Sequence, residues 1–189
     1  ANVHWIHFRI IDSPDESSAT NQYAGDLWGL YLAIQDVDGT LLRERGLPDG
    51  NIYSVQSGRK HLARGAPLDG SDWNRFIAGV RNEHPLGWWR TNLDLDAYYS
   101  FHAINRVIGN VDLRPDGNHG YYRRPDGRWS PFPWDHDMML VPRIHQPGTI
   151  DATRCLNAPA LKIEFQNRAR EVLDLFCADA SPEGGQVGQ

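Results

Sequence analysis

The chain has 189 residues, a formal net charge of −5, a hydrophobic fraction of 40% and a charged fraction of 23%. This length and composition predict a folded domain with a real core and exclude a disordered polymer. The negative charge disfavours a broad basic face for duplex nucleic acid. The sequence contains no run of about 18 apolar residues, so it does not predict a membrane-spanning helix. The two cysteines form neither a metal-binding pattern nor a disulfide framework.

The first third of the chain is patterned for strands. Alternating apolar residues predict a strand over residues 3–11, and the polar stretch 12–22 predicts a loop. Further strands are predicted at 25–35 and 51–56, with a short helix from Asp38 to Gly46 between them. Because the chain opens directly on a strand pattern, we expect it to be a fragment or a domain of a longer protein.

The second half of the chain is patterned for helices. Helical spacing predicts an amphipathic helix over 71–83, a largely buried helix over 95–108 and a final helix over 158–178. The helix 95–108 has Asp94 at a favourable N-cap position and Gly109 as its stop.

A hairpin lies between the last two helices. Residues 121–122 and 129–133 flank the turn Pro125-Asp-Gly127, which is typical of a hairpin. Residues 138–156 are predicted to be irregular, and the Gly-rich tail 181–189 is predicted to be disordered.

Early strands followed by helices and a hairpin indicate an α+β protein, with a single domain over residues 1–180. Three side-chain environments are expected within it. Cys177 is expected in the core on the last helix. Trp88-Trp89 is expected in a loop packed on the long helix, and the Arg123-Arg124 pair in solvent.

One stretch gathers acidic and amide side chains at the ends of predicted elements. Asp112 follows the long helix, Asn118 precedes the hairpin, and Asp135 and Asp137 follow the aromatic run 129–134. Carboxylate and amide oxygens grouped in this way are the usual means of holding Mg²⁺ against phosphate. Alternatively, Asp and Asn in Gly- and Pro-rich stretches form turns by capping their own backbone. The residues alone leave both interpretations open.

Four motifs, in order along the chain, resemble the CotH family of spore-coat kinases, which have an atypical protein-kinase-like fold. The motifs are Gly25-Asp-Leu-Trp-Gly-Leu-Tyr31, Leu47-Pro-Asp-Gly-Asn-Ile-Tyr53, Asn92 to Asp112, and Phe132-Pro-Trp-Asp-His-Asp137. The resemblance extends from Tyr23 to Cys177. It implies a kinase-like fold with a truncated N-terminal β part and a mainly helical C-terminal part.

The resemblance also implies a role for each residue of the acidic stretch. Asp112 falls on the family's catalytic Asp, which accepts or orients the proton of the substrate hydroxyl. Asn118 and Asp135 fall on the metal-binding residues, and Asp137 completes the metal shell. The implied activity is ATP- and Mg²⁺-dependent phosphoryl transfer to Ser or Thr of a protein partner. The implied location is a bacterial spore coat or cell envelope, without membrane insertion.

Two positions depart from the family's pattern. Gln35 stands where the family usually has Glu, and Ser54 stands where it usually has Lys. Kinases need a Lys on the phosphates and often a Glu to hold it. Arg59 or Lys60 is the available substitute as the nucleotide-binding cation.

These departures keep two other functions open. One is a non-catalytic kinase-like scaffold, a pseudokinase, that binds a protein partner or a nucleotide. The other is metal-dependent hydrolysis, which would use the same carboxylates. Hydrolysis also needs a base that activates water, and the sequence does not identify one.

Overall fold

A computed structural model describes residues 2–14, 26–113, 117–140 and 153–178. The strands are β1 Val3–Ile10, β2 Asp26–Ile34, β3 Asn51–Ser54, β4 Gly58–His61, β5 His119–Arg123 and β6 Trp129–Pro133. The α-helices are α1 Gly39–Glu44, α2 Ser71–Val80, α3 Leu86–Asn92, α4 Leu95–Val107 and α5 Pro159–Cys177, and Thr153–Asn157 is a 3₁₀ helix. The described residues therefore form a mixed α+β structure, as predicted.

Some predicted segments fall outside these residues. The tail 181–189 lies outside them, as do residues 15–22 of the predicted loop and residues 141–152 of the predicted irregular segment. Gly25, the first residue of one family motif, also lies outside.

The strands form two antiparallel sheets. β1 and β2 make a two-stranded ribbon whose large apolar side chains, such as Trp5 and Leu30, are exposed. The other sheet has the order β4-β3-β5-β6. In it, Ser54 lies opposite Gly120, and Gly120 lies opposite Phe132. Strands β3 and β6 therefore end, and β4 and β5 begin, at the same end of the sheet. We call it the Ser54 end.

The two faces of this sheet cover two hydrophobic clusters, because side chains alternate along a strand. On one face, the sheet packs against α2, α4 and α5 through Tyr53, Tyr121, Trp129, Phe76, Tyr98, Leu161 and Phe165. The rings of Phe76 and Trp129 stack there at 4.5 Å between centroids. Such a pair contributes about 0.5–1.5 kcal/mol beyond its buried area. On the other face, Ile52 and Tyr122 pack with Val37 and Leu42.

Helix α4 forms as the sequence predicts. Its N-cap Asp94 accepts the backbone N–H of Ala97 at 3.3 Å, and the chain leaves the helix at Gly109, which has φ of 59°. A left-handed φ of this kind favours glycine and ends a helix. The buried residues of α4 are Leu95, Tyr98, Tyr99, Phe101, His102, Ala103 and Asn105, which confirms the predicted buried helix. Within the described residues, none of the helices combines the length and the apolar character needed to cross a membrane.

Several predicted boundaries in the first half of the chain are wrong. Strand β4 was not predicted, because its residues are mostly polar and it forms by pairing with β3. The predicted loop at Trp88-Trp89 is helix α3, and Trp89 is buried in the main cluster. β3 ends at Ser54 instead of residue 56, since the Ser54 hydroxyl oxygen accepts the backbone N–H groups of Gln56 and Ser57. α2 ends at Val80 instead of residue 83.

Two predicted side-chain environments are also wrong. Cys177 is exposed, because the last residue of α5 that is buried is Val172 and the final turn extends beyond the core. The Arg123-Arg124 pair is not simply solvated. Arg123 donates to Asp72 at 3.4 Å, and Arg124 donates to Asp94 at 2.6 Å.

Candidate active site

A chain of asparagine hydrogen bonds connects α4 to Asp112. Asn105 donates its side-chain amide to the carbonyl of Phe101 at 2.8 Å, and its Oδ1 accepts from the amide of Asn110 at 2.8 Å. The Oδ1 of Asn110 in turn accepts the backbone N–H of Asp112 at 3.0 Å. Asn105 is 1% exposed and Asn110 is fully buried, so these bonds are shielded from water. The helix thereby fixes the backbone that carries Asp112.

Asn118 contacts Asp112 directly. Its Nδ2 donates to the carboxylate Oδ2 of Asp112 at 2.5 Å and to the backbone carbonyl of Asp112 at 3.0 Å. Asn118 is 4% exposed and has φ of 63°. A non-glycine residue in this region costs about 1 kcal/mol or more, so its contacts must hold it there. The Asp112 carboxylate is therefore oriented by a buried and strained neighbour.

The segment after β6 joins this site through its backbone. The N–H of Trp134 donates to the carbonyl of Asn118 at 3.2 Å. The next residue, Asp135, also has a left-handed φ, of 56°. Among the described residues, Leu140 is the third non-glycine residue with a positive φ. Two of the predicted site residues therefore share this uncommon conformation, on either side of one hydrogen bond.

A second backbone bond joins the same segments. The N–H of Val111 donates to the carbonyl of Met138 at 3.3 Å. Val111 precedes Asp112, and Met138 follows Asp137. All four predicted site residues thus lie on two segments that are hydrogen-bonded to each other. That their side-chain oxygens meet on one ion stays a prediction.

The donor set can be compared with what a metal ion needs. Asp135 and Asp137 are exposed, and Asp112 is partly buried. In the part of the chain that the structure describes, no three His, Cys, Asp or Glu side chains are grouped for a metal. Mg²⁺ is usually held by one or two carboxylates together with substrate phosphates instead of by a cage of protein ligands. The oxygen donors here are of the type that Mg²⁺ prefers.

Two adjoining cavities lie at the Ser54 end of the sheet. A cavity of about 70 Å³ is lined by Asp36, Val37, Ser54, Gln56, Ser57, Lys60, Phe132 and Trp134. A wider one, of about 260 Å³, is lined by Ile34, Pro133, Trp134, Asp135 and His136. Trp134 lines both, so the cavity lined by Lys60 and the cavity lined by Asp135 adjoin at this residue.

The two candidate nucleotide-binding cations differ in their surroundings. Lys60 lies in the smaller cavity, with its Nζ 2.9 Å from Oδ1 of Asp36. Arg59 is exposed, and its Nη1 donates to the backbone carbonyl of Leu68 at 2.8 Å. Neighbouring residues of a strand point to opposite faces, which separates the two side chains.

Comparison with protein families identifies the family of this chain. A family model described as CotH kinase protein matches residues 11–180 of the 189 residues. The chain belongs to the CotH kinase family. No curated protein matches it. The resemblance that its four motifs indicated is thus confirmed, and membership points to a kinase-type enzyme with a general use of nucleotide and metal. The name of the family points to an association with the spore coat.

Sequence reasoning missed part of this candidate site. Asn105 was not singled out, and Asn110 was noted only as part of the helix stop Gly109-Asn110. An Asn within an apolar helix and an Asn after its glycine stop are nevertheless visible signals. Asp36 was missed as well, and nothing local in the sequence indicates that it pairs with Lys60. The pairing depends on how β4 is placed beside the end of β2.

A further network, also missed, lies on the face of the sheet that carries Ile52 and Tyr122. Asp94 accepts hydrogen bonds from the Ser130 hydroxyl at 2.8 Å and from Arg124 at 2.6 Å. Burial alone would raise the pKa of the Asp94 carboxyl, but the bonds from Ser130 and Arg124 outweigh it and lower the pKa below its usual value. Asp94 therefore caps α4 and ties it to the hairpin as a stable anion. None of the four predicted site residues lines the apolar cavity of about 310 Å³ beside this network.

Proposed function

We propose that this CotH family member transfers the γ-phosphoryl group of ATP, with Mg²⁺, to a Ser or Thr hydroxyl of a protein partner. The hydrogen bond from Asn118 to the Asp112 carboxylate carries the proposal. It orients a carboxylate next to the backbone-bonded segment that bears Asp135 and Asp137. Phosphoryl transfer depends on positioning and charge neutralisation more than on covalent chemistry by the protein.

Each residue has one task in this proposal. Asp112 orients the acceptor hydroxyl and accepts its proton as the oxygen bonds to the γ-phosphorus and the bond to the β–γ bridging oxygen breaks. Asn118, Asp135 and Asp137 are the residues that would hold Mg²⁺. When bound, Mg²⁺ neutralises the charge of the phosphates. The buried Asn110 keeps the backbone of Asp112 fixed during turnover.

The partner in this proposal is a protein with exposed Ser or Thr residues in a spore coat or cell envelope. The family's association with the spore coat supports this location. The catalytic unit is a single kinase-like domain over residues 1–180.

A second candidate function is a pseudokinase scaffold that binds a protein or a nucleotide without transfer. The observation that favours it is Ser54, which stands at the position of the family's usual Lys. Its hydroxyl oxygen accepts two backbone N–H groups at 3.2 Å, so it serves the turn after β3.

Two conservative substitutions test the assigned roles. Asp135→Asn is expected to abolish transfer and to weaken Mg²⁺-dependent ATP binding, because it removes a metal ligand. Asp112→Asn is expected to abolish transfer but to keep Mg²⁺-ATP affinity, because its task is to orient the acceptor hydroxyl. Binding is measured by calorimetry and transfer by radiolabel from γ-labelled ATP.

The matched control is Asp126→Asn, which changes an exposed acid of the hairpin turn paired with Arg128. It should leave binding and transfer unchanged, and circular dichroism should show that all three variants are folded. An equal loss of nucleotide affinity in both site variants would contradict the assigned roles. Nucleotide binding without transfer to any Ser- or Thr-bearing acceptor in the wild type would support the scaffold instead.

A further inference from the structure

Lys60 and Asp36 form an ion pair that stability alone does not explain. Nζ of Lys60 lies 2.9 Å from Oδ1 of Asp36, and the two side chains are 28% and 56% exposed. Exposed pairs of this kind contribute about 0–1 kcal/mol. Lys60 is also one of only two lysines among the 19 Lys and Arg residues of the chain. Both residues line the cavity of about 70 Å³ beside Trp134.

The two positions where the family usually has Glu and Lys are occupied by other contacts. Gln35 accepts the backbone N–H of Asn2 with Oε1 at 3.0 Å and donates from Nε2 to Glu44 at 2.5 Å. Ser54 serves the turn that follows β3. Both side chains are uncharged, so they cannot form the ion pair of a Glu and a Lys.

An acid and a lysine are paired close to these two positions, at Asp36 and Lys60. Asp36 directly follows Gln35, and Lys60 lies on β4, which pairs with β3. Lys60 and Ser54 line the same small cavity. Lys60 therefore borders the same cavity that a lysine at position 54 would border.

We propose that Lys60, positioned by Asp36, is the phosphate-binding cation of this protein, carried on β4 instead of β3. The inference rests on the proposed function and selects Lys60 over Arg59. An ammonium group has three donors, so the bond to Asp36 leaves the others for phosphate oxygens. Arg59, by contrast, is directed to the carbonyl of Leu68.

The location of Lys60 relative to the acids supports this assignment. Trp134 is a wall of the Lys60 cavity and of the cavity that contains Asp135. A polyphosphate that spans the two cavities contacts Lys60 in one and a Mg²⁺ ion held by Asp135 in the other. Kinases bind nucleotide phosphates between a lysine and Mg²⁺ ions that carboxylates hold.

The test is a titration with Mg²⁺-ATP and, separately, with adenosine, which lacks phosphates. Lys60→Met is expected to weaken Mg²⁺-ATP binding about tenfold or more, as the loss of a charge-assisted hydrogen bond predicts, and to leave adenosine binding unchanged. Asp36→Asn should weaken Mg²⁺-ATP binding less, because Lys60 keeps its charge but loses its partner. Arg59→Met is the matched control on the same strand and should bind ATP like the wild type.

The outcomes separate this inference from the proposed function. Equal ATP affinity in the wild type and Lys60→Met would overturn the inference, and so would a loss confined to Arg59→Met. A wild type that binds no Mg²⁺-ATP would overturn the inference and the kinase proposal together. Loss of ATP affinity in Lys60→Met, in a wild type that binds ATP but transfers no phosphate, would uphold the inference and reject the kinase proposal.

Discussion

The buried carboxylate of Asp72 is expected to be a main contributor to the stability of the fold. Asp72 is 8% exposed and lies in the first turn of α2. It accepts hydrogen bonds from the side-chain amide of Asn51 at 2.7 Å and from the Tyr53 hydroxyl at 2.8 Å. A weaker bond comes from Arg123 at 3.4 Å. One side chain thus connects α2 to both β3 and β5.

The substitution Asp72→Ala removes these three bonds and a fourth, from the backbone N–H of Trp73 at 2.8 Å. Each short bond contributes about 0.5–1.5 kcal/mol net, and a buried donor left without an acceptor adds a further cost of about 1–3 kcal/mol. Asn51 and Tyr53 are 3% and 1% exposed, so water does not readily replace the lost acceptor. We therefore expect the free energy of unfolding to fall by about 3 kcal/mol. Urea denaturation followed by circular dichroism at pH 7 measures this change.

The control is Asp174→Ala, which removes an exposed carboxylate from α5. It should change the free energy of unfolding by less than about 0.5 kcal/mol. A loss below about 1 kcal/mol in Asp72→Ala, within the range of a typical single hydrogen bond, would refute the energetic reasoning.

The pH dependence supplies a second check on Asp72. Burial alone would raise the pKa of its carboxyl, but hydrogen bonds from Asn51 and Tyr53 outweigh burial and lower the pKa below its usual value. The charged form is thus favoured in the folded state. Its contribution is complete above the unfolded pKa of about 3.9 and is lost as the pH falls through the folded pKa. The stability difference between the wild type and Asp72→Ala should be constant near neutral pH and narrow in acid.

Two further predictions concern packing and thiol reactivity. A Cβ on Gly120 would lie 2.5 Å from the backbone oxygen of Tyr53 and 2.2 Å from the ring of Phe132, and the backbone cannot move aside. Gly120→Ala should therefore destabilise the sheet by about 1–3 kcal/mol, seen as a lower Tm. Cys177 is exposed, whereas burial raises the pKa of the Cys155 thiol to about 12. A thiol reagent should therefore label Cys177 in the folded protein and Cys155 only after unfolding, and rapid labelling of both would contradict this burial.

The elements that the sequence predicted well are those whose signals are local. Helix α4 was predicted within one residue at its end, because its cap at Asp94, its apolar spacing and its stop at Gly109 lie in one continuous stretch. The same holds for the hairpin of β5 and β6 around its turn. Strand β4 could not be predicted in this way. Its polar residues become a strand only through pairing with β3.

The residues of the candidate site also differ in whether a local sequence signal marks them. Asp112 and Asp135 could be selected from the sequence, because carboxylates after apolar or aromatic runs form a visible pattern and match a family motif. The bond between Asn105 and Asn110 and the pair of Asp36 with Lys60 could not be selected. Both depend on the distance between side chains on different segments, which a pattern of single residues does not contain.

The backbone conformation of Asn118 and Asp135 connects the stability of this protein to its proposed chemistry. Both residues have left-handed φ values, and the hydrogen bond between Trp134 and Asn118 lies between them. Glycine would adopt these conformations at a lower cost, so selection for stability alone does not account for side chains there. Strained residues persist where the surrounding contacts fix them and where their side chains are needed. The carboxylate and amide pattern selected the same two positions, although Leu140, which has no proposed role, shares the conformation.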